Sequence, residues 1–438
     1  MGQNFLSCDR DQVLLLPPNM ADWLREDHLA RFVIETVDQL DLDAIYGYYR
    51  QDGRGRPAHD PAMMVGLVFY AYAVGVTSSR AIERRCVDDV AFRVITADRQ
   101  PDHATVARFL VRHRQALSEL FFGVLALCRR AGMGKVGVVA VDSTKLAANA
   151  SAAQNRTFDG LRAGAERIIE EAIETDRRED ELYGERRGDE LPEELADPRT
   201  RKAKIKELLE QARAEREAVQ ADRERLIAEH AEHLAKTGKR KSGRPAKPGP
   251  NHGQQRLLAK KYNVTDPDSG IVRHRGMLLQ GYNVQVCASA DQVILATRVS
   301  GVSSDGGQLE PMVDQTEQTL ARLGVSEPVE QVLADTGYWQ NTQIARLKQR
   351  GLRVLVPPYP WARRAAEAVA MQHELTTPDG QRDYRRRQQI IEPVFARTKH
   401  HRAITRVLRR GRPAVQAEID LIATTHNLLK LHTALQAG

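Results

Sequence analysis

The sequence predicts an α/β protein: a mixed sheet with helices, preceded by an all-α N-terminal domain and interrupted by a charged helical hairpin. Three observations predict it. Apolar residues recur at three- and four-residue spacing through the first 130 positions. The period then changes at the β-branched run Val136-Gly137-Val138-Val139-Ala140-Val141, which suits a strand buried on both faces. A dense stretch of charge separates that run from four further strand-like segments.

The N-terminal region, 1–130, divides into helices at Glu26 to Leu40, Pro61 to Val74, Ser78 to Arg85 and Asp102 to Arg130. Asp60 before Pro61 reads as a cap with proline in the first turn, and Asp102 reads as a second N-cap. Arg80, Arg108, Arg112 and Arg114 suit a DNA-binding or dimerisation domain, with a plain helical packing module as the alternative. The first strand of the sheet falls within 131–150 and ends at Asp142-Ser143-Thr144. The remainder of the sheet, 261–438, has strands at Tyr282 to Ser289, Val293 to Ser300, Gln331 to Ala334 and Arg353 to Val356, then C-terminal helices. Leu309 to Leu323 has helical spacing.

Between them, Ser151 to Lys260 holds 24 basic and 23 acidic residues. Ile205, Leu208, Ala212, Val219, Leu226 and Leu234 recur at roughly heptad spacing, and Ala165, Ile169, Ala172 and Ile173 form a shorter stripe. The pattern predicts an antiparallel helical hairpin with a Lys/Gly/Pro-rich tail from Lys236 to His252.

The composition is that of an ordinary globular chain: 438 residues, 42% hydrophobic, 28% charged, net charge +7. The cysteines Cys8, Cys86, Cys128 and Cys287 lack metal-ligand or disulfide-framework spacing, which points to a reducing compartment. Ala62 to Val76, the longest uncharged stretch, is shorter than the roughly 20 residues a bilayer needs, and no export leader is evident. A cytoplasmic protein is expected.

The positive charge is concentrated. Arg382 to Arg412 contains eleven Arg or Lys against only Asp383 and Glu392, so the rest of the chain is slightly acidic (7 − 9 = −2). Such a stretch is a footprint for polyanions, and a solvated helix face is the alternative. Asp142 and Asp335 sit at the ends of predicted buried strands, where ligands bind in open sheets, and each is followed by small polar residues. Glu392 is a third carboxylate, whose plainer reading is an ion-pair partner for Arg397 or Arg387. Three carboxylates from strand, strand and helix suit two divalent ions, Mg²⁺ or Mn²⁺, in phosphodiester chemistry.

At these residues the chain resembles the DDE transposases of bacterial insertion sequences, which have a ribonuclease-H-like catalytic core. The resemblance rests on Ala140-Val141-Asp142-Ser143-Thr144, on Leu333-Ala334-Asp335-Thr336-Gly337-Tyr338, and on the block Tyr384 to Lys399. In one branch that block carries a Tyr, Arg, Glu, Lys signature, which Tyr384, Arg387, Glu392 and Lys399 fit. The Arg-to-Glu spacing is one residue longer than the commonest form. Thr425 to Leu431, Gly55 to Pro61 and Pro101 to Thr105 also look like this family.

The resemblance implies that Asp142, Asp335 and Glu392 bind the metals. It implies that Tyr384, Arg387 and Lys399 contact transposon-end DNA; the charge pattern adds Arg397, Arg402 and Arg406 as DNA contacts. Double-stranded DNA, both terminal inverted repeats and target, is the implied partner, met by a homo-oligomer, a dimer in the DNA complex. A bound protein would then associate with the bacterial nucleoid. The alternatives are a catalytically inactive DNA-binding protein of transposase descent and a metal-dependent nuclease that does not join strands.

Other signals fail on context. Gly132 to Gly137 matches G-x-G-x-x-G but precedes a strand instead of opening a helix. Asp335-Thr336-Gly337 matches an aspartic-protease half-site, a fold that would leave the helices and Glu392 unexplained. Gly-Arg-Pro at Gly55, Gly243 and Gly411 reads as a minor-groove tripeptide or a basic linker, and Trp339 as packing.

Overall fold

The computed structural model describes residues 20–49, 57–163, 198–237, 260–274, 276–300, 303–362 and 365–437. The chain opens with seven α-helices: α1 (Leu29–Val37), α2 (Asp43–Tyr46), α3 (Pro61–Ala73), α4 (Ser79–Asp88), α5 (Val90–Ile95), α6 (His103–Arg112) and α7 (Arg114–Arg130). Asp60 accepts from the Met63 backbone N–H at 2.9 Å and Asp102 from that of Thr105 at 2.6 Å, so both aspartates cap their helices. The single helix expected over Asp102 to Arg130 is broken at His113. That residue is buried, leaves helical geometry (φ −100°, ψ 18°) and meets the Tyr49 hydroxyl at 3.1 Å.

The sheet runs β4–β5–β1–β7–β8, with β6 also on β5. Its strands are β1 (Val138–Ala147), β4 (Gly270–His274), β5 (Met277–Ser289), β6 (Ile294–Ser300), β7 (Gln331–Ala334) and β8 (Arg353–Leu355). β5 is antiparallel to β1, β4 and β6, while β7 and β8 run parallel to β1. The sequence misses β4 and places the end of β1 too early. β1 continues to Ala147 because the long β5 accompanies it from Ser289 to Gly281, whereas β7 stops opposite Val141.

A short sheet of β2 (Asn155–Thr157) and β3 (Lys261–Asn263) roots the charged insertion. With α8 (Phe158–Ala163) it packs on α9 (Pro198–Thr237) through Leu161, Ala212, Tyr262 and Val264, a cluster separate from the main core. α9 spans the stretch over which the heptad-like stripe predicts one helix. The first arm of the expected hairpin, the turn over 184–197 and the tail beyond Thr237 lie outside the described residues.

The C-terminal half adds α10 (Leu309–Arg322), α11 (Asn341–Gln349), α12 (Ala366–Thr376), α13 (Pro378–Ala396), a π turn at Arg397–His401 and α14 (Arg412–Ala437). α14 lies between α3, α7 and β6. It treats β6 as a strand would. Asn427 accepts from the Ile294 N–H at 2.8 Å and donates to the Ile294 carbonyl at 2.9 Å, and Gln416 accepts from the Val299 N–H at 2.7 Å. An otherwise open sheet edge is thereby closed by side-chain amides. His426, beside it, is buried and held neutral: burial and then Arg402 push it down to about 3.

α3 meets the far end of the chain at Gly75, where φ is 82° and a Cβ would lie 2.2 Å from the Arg402 carbonyl oxygen. Glycine is required there on both counts.

Asn427→Leu would strand a buried donor and a buried acceptor on Ile294. At about 1–3 kcal/mol for each unpaired group, the expected outcome is a large fall in melting temperature. Calorimetry checks it, and a fall of under one degree would show that the amide does not hold the edge.

Candidate active site

The site forms where β7 stops. Val141 lies opposite Ala334, so Asp142 and Asp335 are the next residues along two adjacent parallel strands. Asp335 then turns into a short 3-10 helix and caps it by accepting from the Gly337 N–H at 2.9 Å. Asp142 stays in β1 and accepts from the Ser143 N–H at 2.7 Å and from Arg387 Nη1 at 2.9 Å.

Two carboxylates here leave their ordinary range. Burial, then the charge of Asp335, pushes Asp142 up to about 6. Burial, then Asp305, raises Asp335. Both shifts are those of a site short of positive charge. Arg387 is half-buried and answers part of it. Burial alone would lower its guanidinium, but Asp142, Tyr384 and Asp335 together hold it above its usual value.

Beside the Gly337 turn, Asp305 accepts from Asn283 Nδ2 at 2.8 Å, Gln285 Nε2 at 2.9 Å and Lys145 Nζ at 3.2 Å. These donors outweigh burial and lower its carboxyl, so Asp305 is a fixed anion. Lys145 also donates to Ser143 Oγ at 2.8 Å and Asn283 Oδ1 at 2.6 Å. The Tyr338 hydroxyl donates to Gln285 and so ties the turn after Asp335 to β5. The sequence reading missed Lys145, Asn283, Gln285 and Asp305. The signal was the alternation Ser143/Lys145 facing Gln285/Asn283, which becomes visible once β1 and β5 are put in register.

The basic segment separates into parts. Tyr384 is half-buried, with the Arg387 guanidinium 5.9 Å from its ring centre, and Lys399 Nζ donates to the Lys145 carbonyl at 3.0 Å. These residues and Arg387 come together around β1. Arg397 is half-buried and Arg406 is exposed beside the end of β1, bridged to Ala147.

Arg402 corrects the sequence expectation of a DNA contact. It is 4% exposed and spends its donors on the Ile422 carbonyl (3.1 Å), Thr425 Oγ1 (2.9 Å) and Thr398 Oγ1 (3.1 Å). Burial lowers it to about 10. Arg409 and Arg410 are buried as well. Local charge density overstated the surface, because Arg402 ties the C-terminal turn to α14 and Arg410 ties it to the Asn149 carbonyl after β1.

Glu392 does not join the aspartates. The face of α13 turned to the sheet carries Asp383, Arg387, Ile390, Ile391 and Val394. Five residues beyond Arg387 the helix has turned about 140°, and Glu392 is exposed with Arg385 and Gln388. It makes no hydrogen bond or ion pair among the described residues, with Arg397 and Arg387 included. Among the described residues no three His, Cys, Asp or Glu side chains are placed to hold one ion. Asp142 and Asp335 do fit a divalent cation by their donor chemistry: hard oxygens, buried, each raised by burial and by a neighbouring anion.

Comparison with known families bears on this geometry. Residues 18–112 match the transposase domain family DUF772, and residues 360–432, which include Tyr384, Arg387, Glu392 and Lys399, match the transposase DDE domain. Both matches are to transposase families, and together they support a DDE transposase of insertion-sequence type. No curated protein and no solved structure matches the chain. β1 and β7 lie between the two matched segments, so the aspartates are placed by the fold alone. Among the described residues no helix is long and apolar enough to cross a membrane.

Two outcomes follow from this arrangement. Asp142 binds its proton more tightly folded than unfolded, so between about pH 4 and its folded value of about 6 native stability falls as pH rises. Asp335→Asn keeps the acceptor for Gly337 and removes the opposing charge. It should melt higher than wild type at pH 7 and lose that advantage near pH 4; an equal gain at both would show that charge is not the cause. Arg402→Met should lower the melting temperature and leave the salt slope of DNA binding unchanged. Arg406→Ala should do the reverse and reduce the slope by about 0.9. A slope altered by Arg402→Met alone would restore it as a DNA contact.

Proposed function

We propose that the protein cleaves transposon-end DNA to free a 3′-hydroxyl and joins that hydroxyl to target DNA by in-line phosphodiester transfer. The observation that supports this reading best is the meeting of Asp142 and Asp335 where β7 ends beside β1. These two carboxylates would hold a divalent ion, and Glu392 would complete a second position once the Arg387–Asp142 pair opens and the helix end turns. When bound, Mg²⁺ or Mn²⁺ supplies polarisation of the scissile phosphate and an attacking oxygen active at neutral pH.

The chain's own residues do the positioning. Arg387, released from Asp142, would take a phosphate oxygen with its planar fork. Lys399, already at the Lys145 carbonyl, would bring a second positive charge to the same strand. Tyr384 would close the space beside them. Arg397 and Arg406 would neutralise phosphates further along the duplex, a contribution to affinity that carries no sequence information. Paired ends call for a homo-oligomer.

A DNA-binding protein of transposase descent without catalysis is the second reading, and the solvent-facing Glu392 favours it. A nuclease without joining shares the first step. Purified protein incubated with labelled end DNA, target plasmid and Mg²⁺ separates the three. Joined products support transposition, cut ends alone support a nuclease, and binding alone supports the second reading. Asp142→Asn, Asp335→Asn and Glu392→Gln are each expected to lower cleavage at least 10³-fold with DNA binding intact. Normal turnover in any one of them would remove that residue from the mechanism.

A further inference from the structure

The β4–β5 hairpin carries features that neither the acid site nor the core uses. Its strands pair from Gly270↔Gly281 to His274↔Met277 and turn at Gly276, where φ is 82°. Val272, 2% exposed, anchors it. Its tip is bare: Met277 is 70% exposed and Leu278 66%. Adjacent residues in a strand face opposite ways, so the tip is apolar on both sides. That shape suits a slot with two walls better than a flat protein surface.

Charge and position name the occupant. From Gly270 to Gly281 the chain has no Asp or Glu, and Arg273, across from Leu278, is exposed with no hydrogen bond or ion pair among the described residues. Lys261 on β3 and Arg406 at the end of β1 are exposed near the hairpin's root, where Asn155 of β2 donates to Gln280 at 2.9 Å. β5 is antiparallel to β1, so the hairpin overhangs the end of the sheet at which β7 stops and Asp335 lies. Val286, which lies opposite Asp142, is nine residues from Met277 on the same strand. At about 3.3 Å per residue that is roughly 30 Å, or about nine nucleotide steps of 3.4 Å.

We propose that the hairpin tip enters a groove of duplex DNA about nine nucleotide steps from the bond held at the acid site. Met277 and Leu278 form the wedge, and Arg273 meets the phosphates of the groove wall. Apolar side chains inserted this way part a base step and bend the duplex. The inference rests on the transposase reading, and it specifies a DNA contact that this reading leaves undefined.

The test uses the full-length chain, a fluorescein-labelled mixed-sequence duplex and anisotropy across a salt series. The double variant Met277→Ser/Leu278→Ser should bind about tenfold more weakly with an unchanged salt slope, since only apolar contact is lost. Arg273→Ala should reduce the slope by about 0.9. Both variants should keep the wild-type mass in light scattering. Unaltered affinity and slope in both variants, with wild type binding well, would overturn the hairpin inference and leave the transposase reading standing. A drop in mass in the double variant would reassign the tip to self-association. A wild-type chain with no affinity for the duplex would remove both.

Discussion

The site is built on a conflict of charge. Two parallel strands of unequal length bring Asp142 and Asp335 to the same place, and both carboxyls are raised by burial and by neighbouring anions. Asp305, fixed as an anion by Asn283, Gln285 and Lys145, sharpens the conflict instead of relieving it. A buried anion pair of this kind is tolerated only with compensating positive charge. Arg387 supplies that in the folded chain, and its ion pair with Asp142 fixes which face of α13 turns inward. The solvent-facing position of Glu392 follows from that rotation.

The architecture was largely legible in the sequence because its signals are local. The caps at Asp60 and Asp102, the change of period at Val138 and the strand Gln331–Ala334 each depend on a few neighbouring side chains. What the sequence hid depends on partners far away. β1 outruns its apolar segment because β5 runs beside it, and β4 is a strand because the same long β5 offers it an edge. The break at His113 depends on Tyr49, 64 residues earlier.

The placement of Asp142 and Asp335 at adjoining strand ends was legible in the sequence, and the burial of the basic residues was not. Counting charges along a segment cannot tell a guanidinium that faces water from one that ties helices together. Arg402 does the latter, Arg410 ties its turn to the segment after β1, and Arg409 is buried with them. Glu418 completes that turn by accepting the Leu408 and Arg409 N–H groups from within the core. The charged insertion, by contrast, has a small core of its own.

Gly75 gives the molecule a rigid coupling. The backbone of the N-terminal helices touches the Arg402 backbone with no side chain between them, and the Arg402 guanidinium in turn holds Thr398, next to Lys399. Helix α3 is thereby seated directly on the turn that carries Lys399, whose ammonium reaches the Lys145 carbonyl of β1.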